Sequence, residues 1–135
     1  MIRLLYISTS RQLVTPELLA DILRASRRNN AAVGVSGLLI VGGKRFLQAL
    51  EGPTDAVLTT YRRIHADPRH FAVVELAQER ITERQFPAWA MGAQAGRTPW
   101  KDADISDVVA ALIEPIADPS LKGYFSGFAE RMAAA

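Results

Sequence analysis

A single carboxamide interrupts an otherwise apolar strand face in this sequence, and its position raises the question of what it binds. Residues 45–53 read RFLQALEGP, and strand alternation places Phe46, Gln48 and Leu50 on one face. A carboxamide has two N–H donors and an acceptor oxygen, and burying it without partners would cost about 1–3 kcal/mol. Tyr6, on the first predicted strand, is one partner that the apolar strand faces offer. The sequence therefore predicts a further partner for Gln48 that the chain itself does not supply.

Three further pairs of residues have side chains that could bind a ligand or take part in its chemistry. Taken one at a time, each pair is more often structural: asparagines cap helices, a Trp-x-Met alternation fills a core, and Asp-Pro-Arg-His forms a turn. Their combination with Gln48 favours a ligand site. The pairs are Asn29 and Asn30 at the end of the first helix, Arg69 and His70 after the second helix, and Trp89 and Met91 on the last strand.

Composition excludes several other kinds of chemistry. The 135 residues contain no cysteine, which removes disulfides, thiolate nucleophiles and cysteine-ligated metal centres. The two histidines, His65 and His70, lack a metal-binding spacing, so no metal site is expected. The net charge is only +2 and the arginines are scattered, which argues against nucleic-acid binding. No apolar run is long enough to span a membrane, and the N-terminus shows no signal-peptide layout, so a cytoplasmic protein is expected.

The elements that must position these residues follow the order β-α-β-β-α-β. This order predicts an α+β, ferredoxin-like sandwich whose antiparallel or mixed sheet carries both helices on one face. The first helix is capped by Thr15 and expected to end at Asn29 and Asn30. The predicted strands are 2–8, 33–41, 44–51, 71–77 and 88–93, and the second helix runs from Gly52 to Asp67.

The tail is predicted to be helical and to cover the other face of the sheet. Residues 104–113 and 120–132 have helical periodicity. The second of these helices presents Leu121, Tyr124 and Phe125 on one apolar stripe that continues to Phe128. We therefore divide the chain into a domain at 1–95 and a C-terminal extension at 96–135, which packs on the sheet or forms an interface.

The motifs together resemble the BLUF domains, photoreceptor modules that use a flavin to sense blue light. The resemblance covers residues 1–95 and rests on five motifs in the family's order: LLYIS, SRRNNAAVGVSGLL, FLQALEGP, ADPRH and FPAWAM. One departure is Val35-Ser36-Gly37, where the family usually has Ile-Thr-Gly. The replacement retains a β-branched residue, a hydroxyl and the glycine.

The resemblance implies a flavin held between the two helices, FAD with FMN as the alternative, and a photochemical role for four residues. Tyr6 would donate an electron to the excited flavin, and a proton would pass through Gln48. Gln48 would then be left rotated or tautomerised, with a new hydrogen bond to the flavin C4 carbonyl. Trp89 and Met91 would relay this change to the tail. The implied flavin contacts are Ile22, Ser26, Asn29, Asn30, Phe46, Gln48, Arg63, Arg69 and His70.

The resemblance also implies a sensor rather than an enzyme, one that signals by forming a homo-oligomer or by binding a downstream protein. Two alternatives have the same architecture. A light-insensitive, oligomeric ferredoxin-like adaptor would not need a buried glutamine. A hydrolase of the acylphosphatase type would need a glycine-rich phosphate loop after the first strand, where this chain has residues 9–14, TSRQLV. The second alternative is therefore disfavoured.

Overall fold

The structure, a computed structural model, describes residues 1–12, 14–42, 44–86, 92–96, 114 and 116–134. These residues form five strands and three helices. In chain order they are β1 (Ile2–Ser10), α1 (Pro16–Val33), β2 (Ser36–Gly42), β3 (Arg45–Gly52), α2 (Thr54–Ala66), β4 (His70–Arg80), β5 (Gly92–Gly96) and α3 (Pro119–Ala134). In the part of the chain so described, no helix is both long and apolar enough to cross a membrane.

The strands form one sheet in the order β4-β1-β3-β2-β5. The first four pair antiparallel, as the ferredoxin-like fold requires, and β5 adds to the edge in parallel with β2. The predicted α+β fold with a mixed sheet is therefore confirmed.

Because β1 and β3 are central in the sheet, their alternating side chains supply two separate cores. On one face, Leu4, Tyr6 and Phe46 pack with residues of α1 and α2. On the other face, Leu5 and Ala49 belong to a second buried cluster. Its members from the C-terminal part of the chain are Ile116, Leu121, Phe125 and Phe128.

The predicted end of the first helix is wrong by about one turn. Asn29 and Asn30 do not cap α1 but lie within it, because the alanines that follow are strong helix formers and extend it to Val33. Gly34 ends the helix in the left-handed conformation, with a φ of 74°, and its N–H bonds back to the Ala31 and Asn30 carbonyls. Residues 33–35, predicted as strand, therefore complete this helix and its cap.

The other boundaries shift by smaller amounts. β4 starts one residue earlier than predicted and continues to Arg80. Of the last predicted strand, 88–93, residues 92 and 93 lie in β5, which continues to Gly96, and residues 87–91 lie outside the described part of the chain. The predicted helix at 104–113 also lies outside it.

Candidate functional site

Tyr6 and Gln48 form a buried polar pair at the centre of the sheet. They are directly opposite each other in the register of β1 and β3, and each is 4% exposed. The Tyr6 hydroxyl donates a hydrogen bond to Gln48 Oε1. This bond explains how an apolar sheet face accommodates both polar groups, and it connects the only phenol of that strand to the carboxamide.

The surroundings of Tyr6 favour its neutral form. Burial raises the pKa of Tyr6 far above its ordinary value, and the negative charges that Tyr61 and Asp67 can carry raise it further. The ring of Tyr61, on α2, lies with its centroid 5.5 Å from that of Tyr6. These effects favour the neutral phenol of Tyr6, which is the form that donates a hydrogen bond.

An open cleft lies directly over this pair, between the sheet and helices α1 and α2. Its empty space is about 580 Å³, which includes the open solvent at its mouth. The sheet forms its floor with Tyr6, Phe46 and Gln48, and α1 contributes Ile22 and Ser26 to the wall. Further lining residues are Ser8, Ser10, Leu18, Leu39, Ile64, Asp67, Arg69 and His70.

A second cleft of about 480 Å³ adjoins the first and shares Gln48 with it. Asn29 and Asn30 line the second cleft. Both lie inside α1, which continues to Val33, so neither residue caps the end of the helix. Asn30 is 3% exposed, whereas Asn29 is exposed. Arg63 approaches from α2. The two clefts together are lined by all nine residues that the resemblance implied as flavin contacts.

Charged groups gather where the clefts share a mouth, in the turn between α2 and β4. Arg69 Nη2 lies 2.6 Å from Asp67 Oδ2, and the hydrogen bond from Arg69 holds the pKa of Asp67 below its ordinary value. Arg11 Nε donates to the Pro68 carbonyl at 2.9 Å, which adds a second guanidinium to the same turn. His70 lies behind them, with its ring 6.4 Å from Phe46 and nearly perpendicular to it. Such a mouth suits an anionic group.

Sequence reasoning missed three polar residues of the first cleft: Ser8, Ser10 and Asp67. The two serines could have been found, because they continue the alternation that begins at Tyr6 and so belong to the same strand face. Asp67 was taken only as the end of a helix. Two predicted residues, Trp89 and Met91, lie outside the residues that the structure describes.

Comparison with known proteins agrees with this architecture. A family model described as "BLUF: Sensors of blue-light using FAD" matches residues 1–92. Photoactivated adenylate cyclase subunit beta from Euglena longa is 38% identical over 89 residues, which are 65% of this chain and 10% of that protein. The Blue light- and temperature-regulated antirepressor BluF of Escherichia coli (strain K12) is 38% identical over 66 residues, 49% of this chain and 16% of that protein.

Among solved structures, the dark-state structure of BlrB, a BLUF protein, superposes with a TM-score of 0.73 at 29% sequence identity. The match covers 98% of this chain and 95% of BlrB. The chain thus spans only about a tenth to a sixth of the two curated relatives but nearly all of BlrB. The match of the family model over 1–92, together with the ferredoxin-like sheet and the cleft above its Tyr6–Gln48 pair, establishes that this chain belongs to the BLUF family of blue-light sensors.

Proposed function

We propose that this protein is a blue-light sensor that binds FAD non-covalently in the paired clefts and switches through Tyr6 and Gln48. The observation that carries the proposal is the buried Tyr6–Gln48 hydrogen bond at the floor of an open cleft between the sheet and both helices. A flavin ring has flat apolar faces and an edge of carbonyl and N–H groups. Ile22 and Phe46 provide apolar surface for the faces, and Asn30 provides the donor and acceptor for the edge.

The charged mouth supports a flavin that carries phosphate. Arg63, Arg69 and His70 would hold the phosphate and ribityl portion, and the carboxylate of Asp67 limits how much positive charge gathers there. FAD is favoured because the family as a whole is described by it. FMN, which lacks the adenylate, would occupy the same cleft and is the alternative cofactor.

In the proposed mechanism, the bound flavin supplies a light-excited electron acceptor. Tyr6 gives up an electron, and its phenol then becomes a strong acid. Gln48 Oε1 already accepts the hydrogen bond from that phenol, so it is the group placed to receive the proton. When electron and proton return to Tyr6, Gln48 keeps a different set of hydrogen bonds, rotated or tautomerised. A polar pair with two arrangements in a water-poor site is suited to act as such a switch.

Strand register supports a route from this switch to the end of the sheet. Gln48 is opposite Leu39 on β2, and Leu39 is in turn opposite Ala93 on β5. Ala93 comes two residues after Met91 and four after Trp89. Only β2 lies between β3 and β5 in the sheet. A relay from Gln48 through Trp89 or Met91, which come shortly before β5 in the sequence, would therefore cross one intervening strand.

We propose a downstream protein or a second copy of the chain as the receiver of the signal. In the Euglena relative the name couples the family to an adenylate cyclase, and in the Escherichia coli relative to an antirepressor. In this proposal the chain acts as a sensor of this kind and catalyses no reaction of its own.

Absorption spectra of the purified protein in darkness, after blue light and during dark recovery test the proposal. A flavin spectrum that shifts slightly to the red and returns in darkness is expected. Tyr6→Phe and Gln48→Leu should retain the flavin and lose the reversible shift, because the first removes the phenol and the second the carboxamide. A protein that stays colourless after addition of FAD would refute the proposal and favour a light-insensitive adaptor.

A further inference from the structure

A buried hydroxyl in the first cleft lacks a partner within the part of the chain that the structure describes. Tyr6, Ser8 and Ser10 alternate on β1 and all line this cleft. Tyr6 donates to Gln48, and Ser10 Oγ accepts from the Gln12 N–H at 3.4 Å. Ser8 is 0% exposed, and its Oγ has no hydrogen-bond partner among the described residues.

An unpaired hydroxyl at this depth is unfavourable and has few local remedies. Leaving it unbonded weakens folding by roughly an order of magnitude in the equilibrium constant. Ser8 is paired with Phe46 of β3 on one side, and on the other side it lies where the β1–β4 register shifts between Ile7 and Thr9. Alanine would fill the same position without that penalty. The serine therefore points to a bonding partner that enters the cleft.

Ser8 lies close to the Tyr6–Gln48 pair on the floor of the first cleft. Ser8 is opposite Phe46 in the β1–β3 register, two residues from the Tyr6–Gln48 pair along the same floor. We propose that the Ser8 hydroxyl donates a hydrogen bond to an acceptor atom of the bound flavin and thereby sets both its affinity and its absorption maximum. This inference rests on the proposed function, because it assigns a further contact in the same cleft.

The test compares Ser8→Ala with the parent chain, both free of flavin and loaded with FAD. The flavin-free variant should be at least as stable as the parent chain in urea, because it loses an unsatisfied group. Its dissociation constant for FAD should rise roughly three- to tenfold, the amount that one neutral hydrogen bond contributes. The dark absorption maximum and the flavin carbonyl bands in the infrared should shift as well. Ser8→Cys, similar in size but a weaker donor, should give an intermediate dissociation constant.

Ser36→Ala is the matched control. Ser36 is a buried serine on β2, 4% exposed, but its Oγ accepts a hydrogen bond from Arg84 Nη1 at 2.8 Å and it does not line either cleft. This variant should lose stability equally with and without FAD and leave the FAD dissociation constant and spectrum unchanged.

The outcomes separate the two proposals. If the parent chain takes up no FAD, the proposed function fails and the Ser8 contact fails with it. If the parent chain binds FAD and Ser8→Ala binds it equally well with an unchanged spectrum, only the Ser8 contact is overturned. A flavin-free Ser8→Ala that is clearly less stable than the parent chain would also overturn it, because the hydroxyl would then have a partner within the protein.

Discussion

Glu51 is the buried charged residue whose replacement should most clearly test how the sheet is anchored. It is 0% exposed and lies on β3 three residues beyond Gln48, so its side chain points to the opposite face. Its carboxylate accepts hydrogen bonds from Arg3 Nε at 2.8 Å and from the backbone N–H groups of Gln85 and Phe86 at 3.0 and 2.8 Å. The Glu51 carboxylate therefore ties the chain that follows β4 to the end of β3, the central strand of the sheet.

Glu51→Gln keeps the volume of the side chain but removes its charge and turns one acceptor into a donor. Breaking a buried ion pair from one side costs about 3–5 kcal/mol. Arg3 keeps a second partner, Glu79 Oε1 at 2.6 Å, and one oxygen remains at residue 51 for a backbone N–H. We therefore expect the lower end of that range, about 3 kcal/mol.

Urea unfolding of the single variants Glu51→Gln and Arg3→Met, and of the double variant, measures this cost and its origin. The double variant should lose less than the sum of the two singles, by at least about 1 kcal/mol, because the two side chains share one bond. Hydrogen exchange at the Gln85 and Phe86 amides should also become faster in Glu51→Gln. Glu79→Gln is the control, since Glu79 is 47% exposed and its pair should contribute less than about 1 kcal/mol. A loss below about 1 kcal/mol in Glu51→Gln, or strictly additive variants, would refute this reasoning.

Three further predictions test other parts of the molecule. Phe125→Ala should lower the free energy of unfolding by about 3–5 kcal/mol, because Phe125 is 0% exposed in the core beneath α3; thermal and urea denaturation should show this, while Tyr124→Ala, at a position 40% exposed, should change it far less. Gly34→Ala should cost about 1–2 kcal/mol through its left-handed φ of 74°, and an equal stability of both proteins in urea would contradict the cap assignment. The pKa of Asp67 is lowered mainly by the hydrogen bond from Arg69, so the ionised carboxylate stabilises the fold at pH values above the ordinary carboxylate pKa, and this contribution is lost as the pH falls through the lowered pKa. Asp67→Asn should therefore reduce the difference in the free energy of unfolding between pH 6 and pH 3. The reduction should be less than about 1 kcal/mol, because the Arg69 side chain is 54% exposed.

The faces of the strands could be predicted from the sequence because alternation is a local property. Phe46, Gln48 and Leu50 share one face as the period of two requires, and the same period brings Tyr6 opposite Gln48 once β1 and β3 pair. The order β-α-β-β-α-β then favours the ferredoxin-like arrangement, in which both helices cover one face of the sheet. The end of α1 could not be placed as well, because the asparagines and Gly34 both favour a stop and only the fold decides between them.

The anchoring of the sheet could not be predicted, because it depends on contacts between distant parts of the chain. Glu51 reads in the sequence as the polar end of a strand before Gly52 and Pro53. Its burial depends on Arg3, 48 residues earlier, and on backbone groups 34 and 35 residues later. Arg84 shows the same limit, since its guanidinium bonds to the Gly34 carbonyl at 2.7 Å and so joins the end of α1 to the chain after β4.

The alternation of β3 also gives a physical reason why a switch at Gln48 should be felt on the far side of the sheet. Leu47 and Ala49, its immediate neighbours in the chain, belong to the buried cluster that includes Phe125 of α3. Under the proposed mechanism, a new set of hydrogen bonds at Gln48 would therefore act one peptide unit away from residues that pack in the same cluster as Phe125. Close-packed cores resist gradual deformation and change between discrete arrangements. A shift of β3 should therefore change the packing of α3 against the sheet. Glu51, bonded to Arg3 and to the Phe86 N–H, would then hold the end of β3 in place during such a shift.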